Sequence, residues 1–365
     1  MKIGIVGLMQ SGKTTIFNAL TGSHAVTGEY YHEIGEIHPN ISIIKVPDNR
    51  LDDIFELLKP PKKVNATIEY VDVAGFVKIE DKMDIKSREY LGYVSNADML
   101  MVVIRKFPNE NILHPEGSIN PIRDFEIFYN EILFRDMEIV ENRLNKLKKS
   151  STKKENVEEK KELEVLEKCK ESIESEIPLR EVIFQEEEEK IIKGFQFLTH
   201  KPLLIVLNVG EDEILEVDKV NELFGEYLLR KYVKGVSICG GIEMELSELN
   251  KEDAEMFMKD YGIKELATQK IINVCYDLMG VITFFTTSEK EIRAWSIRSG
   301  TKARQSAGVV HSDMEKGFIR AEVIPVEELL KNRSIHICKE KGIMLLEGKD
   351  YVVKDGDVIF FRFSV

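Results

Sequence analysis

The sequence predicts an α/β fold: a mostly parallel sheet with an inserted antiparallel helical hairpin, followed by a small β-grasp-like domain. Three observations lead to this prediction. A glycine-rich loop joins the first apolar strand to a helix. Continuous apolar runs at 99–104 and 203–207 are typical of strands that a parallel sheet buries on both faces. Charged helices and then alternating strands follow these elements. We therefore expect a first domain over residues 1–123 and 196–280, an inserted hairpin over 124–195, and a last domain over 281–365.

Composition narrows the class of protein. The chain has 365 residues, 43% of them hydrophobic, and a formal net charge of −13. This length predicts two or three domains. No apolar run is long enough to cross a membrane, and the N-terminus enters the first strand at once, so we expect a cytoplasmic protein without membrane contact. The cysteines lie far apart, which argues against a zinc site or a disulfide framework. The acidic charge opposes unselective binding of nucleic acid, and we expect no sequence-specific contact with DNA.

The glycine-rich loop from Gly7 to Thr15 matches the phosphate-binding motif G-x-x-x-x-G-K-[ST], in the strand–loop–helix context that this motif requires. Its glycines allow successive N–H groups to point toward an anion. We expect Lys13 to bridge the β- and γ-phosphates of a nucleotide, and the Thr14 hydroxyl to coordinate Mg²⁺. The alternative, a glycine turn that binds nothing, does not explain the Gly-Lys-Thr-Thr run. The predicted phosphate-binding residues of the loop are Gly7, Gln10, Ser11, Gly12, Lys13, Thr14 and Thr15.

A second part of the same site is predicted at the end of strand 67–72. Asp72 is followed three residues later by Gly75, which forms a D-x-x-G pattern. We expect Asp72 to hold a Mg²⁺-bound water and the Gly75 N–H to contact the γ-phosphate. Phe76 stands where many GTPases place the glutamine that orients the attacking water. An apolar side chain cannot orient water, so hydrolysis is expected to be slow, and the sequence identifies no catalytic residue.

Two charged helices are predicted between residue 125 and about residue 173. Apolar residues recur along the first at spacings of four and three, and a similar stripe follows along the second. Such narrow stripes predict an antiparallel helical hairpin, and a solvated linker is the alternative. The turn at 148–154 is basic and is a candidate contact for RNA or a partner, although charged turns are usually only solvated.

Strand 202–208 ends in the corner where GTPases carry N-K-x-D, whose aspartate recognises guanine. This corner reads Asn208, Val209, Gly210 and Glu211 here. A longer carboxylate does not reproduce the paired contact with guanine, so guanine specificity is not expected. Strand 235–239 leads to a glycine turn whose backbone is expected to approach the base. The predicted base-binding residues are Asn208, Val209, Glu211, Cys239 and Gly240.

The last domain is predicted to contain two hairpins around a helix, the arrangement of a β-grasp. One hairpin pairs 282–287 with 291–297, and the other pairs 351–353 with 358–363 around an Asp-Gly turn. No acidic residue occurs between Ile292 and Ser312, and the only tryptophan lies in this stretch. Basic and aromatic residues together favour contact with RNA, and a solvated surface around a core tryptophan is the alternative. This basic strip consists of Arg293, Trp295, Arg298, Lys302, Arg304 and His311.

Three longer stretches resemble the YchF (Obg-like ATPase) family of P-loop NTPases. They are Glu-Ile-Arg-Ala-Trp at 291–295, the segment 311–324, and the segment 347–357. The resemblance extends over essentially the whole chain. It implies a nucleotide-binding domain with an inserted coiled coil and a C-terminal TGS domain of β-grasp form. It also implies association with ribosomes, slow hydrolysis of ATP to ADP and phosphate, and a preference for ATP over GTP through an N-x-x-E corner that maps onto Asn208 and Glu211.

The chain departs from the family pattern at the phosphate end of the site. Gln10 replaces the asparagine that the family links to potassium-assisted catalysis, which leaves a dependence on K⁺ open. The family's switch threonine maps onto Glu36, whose carboxylate repels a γ-phosphate unless Mg²⁺ intervenes. The glycine-rich second switch becomes a charged segment at 79–84. These changes affect hydrolysis more than binding, as in a divergent paralogue.

Three functions are compatible with these residues. The first is a slowly hydrolysing ATPase that acts as a nucleotide-dependent switch on a ribosome or RNA partner. The second is a nucleotide-binding or RNA-binding adaptor without significant hydrolysis. The third is a conventional GTPase, which Val209 and Glu211 disfavour. The expected ligands are ATP or ADP with Mg²⁺.

Overall fold

The computed structural model describes residues 1–25, 39–73, 78–79, 82–83, 91–150, 157–214 and 219–364. The chain divides into two compact units. The first contains residues 2–42 and 69–278, and the second contains Met1, 43–68 and 279–364. Within the described residues, no helix is both long enough and apolar enough to span a membrane. The predicted α/β fold class is confirmed.

The first sheet has six strands in the order β2-β4-β1-β7-β8-β9. Its central pairs, β4 with β1, β1 with β7, β7 with β8 and β8 with β9, are all parallel. Every residue of β7 and β8 is buried, which explains why both read as uninterrupted apolar runs. The strands up to this point of the chain are Lys2–Val6 (β1), Asn40–Lys45 (β2), Lys62–Val64 (β3), Thr67–Asp72 (β4), Lys78–Ile79 (β5), Lys82–Met83 (β6), Met99–Arg105 (β7), Leu203–Asn208 (β8) and Val233–Ile238 (β9).

Helices follow these strands along the chain, together with two short 3-10 turns at Leu179–Glu181 and Glu211–Glu213. The helix after β1 begins at Lys13, so the phosphate-loop residues lie between the carboxyl end of β1 and a helix N-terminus. The helices in this part of the chain are Lys13–Thr21 (α1), Asn49–Leu58 (α2), Pro121–Ser150 (α3), Val157–Glu174 (α4), Glu186–Phe195 (α5), Lys219–Leu228 (α6), Gly240–Glu248 (α7), Lys251–Asp260 (α8) and Ala267–Leu278 (α9).

The predicted helical hairpin is formed by α3 and α4. The stripe residues of both helices are buried in one hydrophobic cluster, among them Val140 and Leu144 on α3 and Leu166 and Cys169 on α4. Arg143 on α3 pairs with Glu162 on α4 at 2.7 Å, so the two helices lie side by side. The structure describes only part of the basic turn between them, since residues 151–156 lie outside the described ranges.

A buried carboxylate ties the hairpin to the rest of the first unit. Asp136 on α3 accepts hydrogen bonds from the N–H groups of Leu198 and Thr199 and from the Thr199 hydroxyl, at 2.7–3.1 Å. Burial raises the pKa of Asp136, while these bonds and Arg135 act in the opposite direction. The segment that leads into β8 is therefore fixed to the base of the hairpin.

The second unit contains a mixed sheet in the order β13-β12-β14-β10-β11-β3. Strands β10 and β11 form the predicted antiparallel hairpin, in which Phe284 lies opposite Trp295. The remaining elements are Val281–Thr287 (β10), Glu291–Arg298 (β11), Ala303–Val310 (α10), Ser312–Lys316 (α11), Phe318–Pro325 (β12), Val326–Asn332 (α12), Ile335–Glu340 (α13), Leu345–Glu347 (β13) and Asp357–Phe363 (β14).

The predicted second hairpin is wrong. Strand β14 pairs antiparallel with β12 and parallel with β10, whereas Val352 forms only an isolated bridge with Lys302. The Asp-Gly turn itself forms, closed by a hydrogen bond from the Asp357 N–H to the Lys354 carbonyl at 3.2 Å, and its carboxylates accept further hydrogen bonds. Asp355 accepts the Thr283 N–H at 2.8 Å, and Asp357 accepts the Lys354 N–H and the Tyr351 hydroxyl at 2.9 Å. The segment before the turn therefore stays outside the sheet except for the bridge at Val352, and the strand after it pairs with non-local partners.

Residues 43–68, which the sequence placed in the nucleotide-binding domain, group with the C-terminal residues instead. Strand β3 extends the mixed sheet by pairing parallel with β11. In addition, Arg50 on α2 donates to Asp355 at 2.6 Å and lies over the Phe285 ring. These pairings join parts of the chain more than 200 residues apart, so no local pattern signals them. The other predicted domain boundaries stay predictions.

Candidate nucleotide-binding site

The loop after β1 has the backbone that its glycines permit. Gly7 and Gly12 have φ angles of +141° and +89°. A Cβ at Gly7 would collide with the Val103 carbonyl oxygen, and one at Gly12 would collide with the Asn208 side-chain amide. Gln10 also has a positive φ, of 59°, which is uncommon for a residue with a side chain. Both glycines are therefore required by close packing as well as by the turn.

Lys13 is the first residue of α1 and is only 6% exposed. Its Nζ donates a hydrogen bond of 2.8 Å to the carbonyl oxygen of Leu8, within the loop itself. Burial lowers the pKa of Lys13 to about 8, and the charge of Asp72 acts in the opposite direction. The fold thus places a partly desolvated ammonium group directly at the loop, where a phosphate offers a stronger acceptor than a carbonyl.

The two predicted metal ligands lie side by side. The Thr14 hydroxyl donates to Oδ2 of Asp72 at 2.9 Å, and the Asn40 amide donates to the same oxygen at 3.2 Å. The other carboxylate oxygen, Oδ1, is buried and has no hydrogen-bond partner in the described part of the chain. Burial is the main cause that raises the pKa of Asp72, and Lys13 lowers it.

This donor set fits Mg²⁺. A hydroxyl and a carboxylate are hard oxygen ligands, and Mg²⁺ is usually held by one or two protein oxygens together with water and phosphate oxygens. The unpartnered Oδ1 of Asp72 is the acceptor that such an ion or its water would satisfy. Among the described residues, no group of three His, Cys, Asp or Glu side chains stands close enough to hold a metal by itself.

The Ser11 and Thr15 side chains complete the loop. The Ser11 hydroxyl oxygen is buried and has no hydrogen-bond partner in the described part of the chain. Thr15 is half-buried in the first turn of α1. The loop therefore contains a second buried polar atom that a ligand or a water would satisfy.

Asn208, at the end of β8, joins the phosphate loop to the opposite side of the site. Its side-chain amide donates to the Ser11 carbonyl at 3.1 Å, and its Oδ1 accepts the Gly240 N–H at 3.0 Å. The residue is 4% exposed. The Asn208 side chain and the Gly240 N–H are thus already hydrogen-bonded, to each other and to the loop.

The other predicted base-binding residues have different surroundings. Val209 is buried in the hydrophobic cluster of the first unit, so its side chain does not replace the lysine of N-K-x-D at the surface. Cys239 is also buried, and burial raises the pKa of its thiol. Glu211 is exposed and begins a short 3-10 turn. Of this set, Glu211 offers an exposed carboxylate at the corner.

Sequence reasoning missed the segment that follows β7. The Arg105 guanidinium donates to the carbonyl oxygens of Phe107 and Ile112, at 3.2 and 3.1 Å, and stacks on the Phe107 ring at 4.6 Å. One edge of this ring lies 3.6 Å from the position of a Cβ at Gly12. Phe107 therefore borders the phosphate loop. Only its position after a buried strand could have indicated this, since ligands bind at the carboxyl ends of parallel strands.

Several predicted features fall outside the described residues. Gly75 and Phe76, which belong to the D-x-x-G pattern, and Glu36 in the first switch are among them. The predictions made for these residues stay predictions. Asn40, by contrast, directly follows the first-switch segment and contacts Asp72, a contact that the sequence analysis did not predict.

The basic strip lies in the second unit and is largely paired within the protein. Arg293 stacks on Trp295 at 5.0 Å and lies 3.2 Å from Glu291. Trp295 packs on Phe284, and its Nε1 donates to Thr286 at 2.8 Å. The other basic groups also have partners: Lys302 with Asp350 at 2.9 Å, Arg304 with the Glu315 carbonyl at 3.2 Å, and His311 with the Asp313 N–H at 3.2 Å. Arg298 is exposed, and no ion pair holds its side chain within the described residues.

Comparisons with known proteins agree with this arrangement. A YchF-type C-terminal family model, described as a protein of unknown function (DUF933), matches residues 281–364. A second model, described as a 50S ribosome-binding GTPase, matches residues 2–143. The protein named ribosome-binding ATPase YchF of Bacillus subtilis is 41% identical over 99% of both chains. The protein of the same name from Escherichia coli O157:H7 is 36% identical over 100% of this chain and 99% of its own.

A solved structure extends the agreement to the fold. The YchF GTPase of Schizosaccharomyces pombe superimposes with a TM-score of 0.82 at 29% identity, covering 99% of this chain and 97% of the other. Both units of the chain are included in these full-length matches. The phosphate loop and the C-terminal segments that carried the resemblance therefore occur together in one known architecture, and the chain belongs to the YchF family.

Proposed function

We propose that this protein binds ATP with Mg²⁺ at the loop from Gly7 to Thr15, hydrolyses it slowly to ADP and phosphate, and acts as a nucleotide-dependent switch associated with ribosomes. One observation carries the proposal: a buried lysine, a threonine hydroxyl and an aspartate converge on the same glycine loop. The names of the bacterial relatives, ribosome-binding ATPases, support the activity and the partner.

The phosphates would be bound by the loop N–H groups and by Lys13. A triphosphate that displaces the Leu8 carbonyl from Lys13 would exchange a neutral acceptor for a charged one, which roughly doubles the strength of such a hydrogen bond. The half-buried position of the loop raises this gain further, because a lower local dielectric strengthens charge interactions.

Thr14 and Asp72 would hold Mg²⁺ together with phosphate oxygens and water. When bound, the ion would neutralise part of the phosphate charge. Asn40 and Thr14 would keep the Asp72 carboxylate oriented through their hydrogen bonds to Oδ2, which leaves Oδ1 free to face the site. The group that positions the attacking water is unassigned, and Phe76 supports slow turnover.

Adenine is the proposed base because Glu211 stands at the corner where an aspartate recognises guanine in GTPases. A GTPase is the second candidate, since the matching family model is described as a ribosome-binding GTPase and the solved relative is titled a GTPase. An adaptor that binds nucleotide without significant hydrolysis is the third.

The relatives' names support a ribosome as the partner. RNA contact through the C-terminal domain or the hairpin is proposed as well, and the exposed basic residues Arg298, Lys302 and Arg304 support it for the C-terminal domain. A ribosome-bound protein would act in the cytoplasm. Dependence on K⁺ is left to measurement, since Gln10 replaces the asparagine associated with it.

The deciding experiment compares the affinities of ATP, ADP and GTP in the presence of Mg²⁺, together with steady-state phosphate release. We expect tighter binding of ATP than of GTP, and slow phosphate release that ribosomes change. Equal affinities for ATP and GTP would contradict the adenine assignment. Phosphate release at the background rate in both KCl and NaCl would favour the adaptor without hydrolysis. The same assay with Ala at position 13 measures the background.

A further inference from the structure

A part-buried ion pair lies at the corner that carries Glu211. The Lys106 ammonium contacts a carboxylate oxygen of Glu213, and the two side chains are only 22% and 21% exposed. The Lys106 backbone N–H donates to the Asn208 carbonyl at 2.8 Å. Lys106 is therefore anchored beside the end of β8, and its side chain reaches across to the 3-10 turn at 211–213. This contact connects the segments that follow two neighbouring strands, β7 and β8.

The turn needs such a contact because of its charge. Glu211, Asp212 and Glu213 are consecutive, and like charges on neighbouring side chains repel one another. Where the structure describes the chain, Lys106 is the cation paired with this turn. The turn is otherwise closed by backbone hydrogen bonds, from the Glu213 N–H to Gly210 at 3.1 Å and from the Ile214 N–H to Glu211 at 3.3 Å. The ion pair thus fixes the turn where its own side chains would destabilise it.

Glu211 belongs to a corner that lies beside the glycine turn: the Val209 N–H donates to the Ile238 carbonyl at 2.9 Å, and the Gly240 N–H donates to Asn208 at 3.0 Å. Burial is the main cause that raises the pKa of Cys239, and the Glu211 charge raises it further. Glu213 is paired with Lys106, which leaves Glu211 as an exposed carboxylate of the corner. The two glutamates of one turn therefore have separate roles: one anchors, and the other faces solvent.

The position of the Glu211 carboxylate decides which purine it favours. A carboxylate is an acceptor only. Position 6 carries an amino donor in adenine and an oxygen acceptor in guanine. A carboxylate opposite position 6 therefore favours adenine, whereas one displaced toward the guanine 2-amino donor loses that preference.

We propose that Lys106 and Glu213 are positioning residues that hold Glu211 opposite position 6 of an adenine base, and so set the preference for ATP over GTP. This inference rests on the proposed binding of ATP. Neither residue belongs to the phosphate loop from Gly7 to Thr15. Their loss would change base selectivity while the affinity for inorganic tripolyphosphate, which has no base, stays the same.

The test measures the dissociation constants of ATP, GTP and tripolyphosphate with Mg²⁺ for the full chain and its variants. For Lys106→Ala and Glu213→Gln we expect the GTP-to-ATP ratio of dissociation constants to fall roughly 3- to 10-fold. Lys106→Arg keeps the charge and is expected to retain the ratio, and the exchange Lys106→Glu with Glu213→Lys to restore part of it. Lys170→Ala removes a lysine paired with Glu141 on the hairpin and serves as the matched control.

The outcomes separate this inference from the proposed function. If the wild-type protein binds ATP and GTP equally, the adenine assignment itself fails. If the wild type prefers ATP and both Lys106→Ala and Glu213→Gln keep the same ratio, only the positioning role is overturned. An equal loss of tripolyphosphate affinity would also overturn it, because the variants would then disturb the phosphate loop. If Lys106→Ala fails to fold, Glu213→Gln, which keeps the size of the side chain, tests the positioning role by itself.

Discussion

The phosphate loop and the basic strip both offer cations to a phosphate-bearing ligand, but the partners of those cations differ. In the loop, Lys13 is buried and bonded to a neutral carbonyl, and two buried oxygens nearby, on Ser11 and Asp72, have no partner in the described residues. In the strip, Lys302 is exposed and paired with the carboxylate of Asp350. The phosphate loop therefore combines a buried cation with unsatisfied oxygens. The strip has one buried unsatisfied atom among the described residues, the Nε of Arg293, and its charge alone does not mark a binding site.

Replacement of the loop lysine gives the largest expected effect. Lys13→Ala removes a buried charge that would pair with phosphates, and truncation of one partner of such a pair costs about 2–5 kcal/mol of binding free energy. We expect ATP with Mg²⁺ to raise the Tm of the wild type but not of Lys13→Ala, as measured by differential scanning fluorimetry. The Tm without nucleotide should not fall, because the variant also removes the cost of burying the ammonium group.

Lys302→Ala is the matched control, since it removes a lysine from the basic strip. It is expected to keep the full ATP-dependent shift. A similar loss of the shift in both variants would mean that surface charge, and not the loop, determines nucleotide binding. The contrast between the two regions would then be lost.

The acidity of Lys13 provides a second, smaller effect. Because its pKa is about 8, the free loop loses this charge as the pH rises through 8, whereas bound phosphates favour the protonated amine. We expect the affinity for ATP to be constant below about pH 7.5 and to fall by up to about tenfold per pH unit above pH 8. Isothermal titration calorimetry in buffers of different ionisation enthalpy should detect proton uptake on binding at pH 8.5.

The lowered pKa of Lys13 affects the stability of the fold in the opposite direction from ATP affinity as the pH rises. The pKa of Lys13 is lower in the folded protein than its ordinary value of about 10.4, so between pH 8 and 10.4 the unfolded chain binds more protons. The contribution of Lys13 to the free energy of unfolding therefore rises with pH between pH 8 and 10.4 and is constant below pH 8. An affinity for ATP that stays unchanged from pH 7 to 9.5 would contradict a depressed pKa at this site.

The sequence was sufficient where the site is local and insufficient where distant segments meet. Gly7, Lys13 and Thr14 belong to one contiguous motif, and few short motifs are as specific for phosphate binding. Asp72 could be selected because it ends a predicted strand. The contact of Asn40 with Asp72 and the position of Phe107 beside the loop were not predicted, because only folding brings these distant residues together.

The same reason accounts for the failed hairpin. Lys354-Asp355-Gly356-Asp357 forms the tight turn that its composition predicts, closed by the Asp357 N–H on the Lys354 carbonyl at 3.2 Å, but the segments on its two sides do not pair with each other. Strand β14 instead finds its partners in β10 and β12. Strand pairing depends on which apolar side chains the finished sheet buries together, such as Val323 and Ile359, and turn composition alone does not specify them.

The smallest effect is expected in the basic strip, where each cation must leave its own partner to reach RNA. Asp350→Asn should free Lys302 and raise the affinity for a single-stranded RNA oligonucleotide, whereas Lys302→Ala should lower it, each by no more than a few-fold because exposed ion pairs are weak. Arg298→Ala should lower the RNA affinity more than Lys302→Ala does, since in the described part of the chain no ion pair competes for Arg298. Fluorescence anisotropy across a series of salt concentrations checks this, because each lost phosphate contact lowers the salt slope by about 0.7 for a single strand. If Asp350→Asn leaves both the affinity and the slope unchanged, the strip is a solvated surface, and the unsatisfied groups of the phosphate loop are the better guide to where this protein binds phosphate.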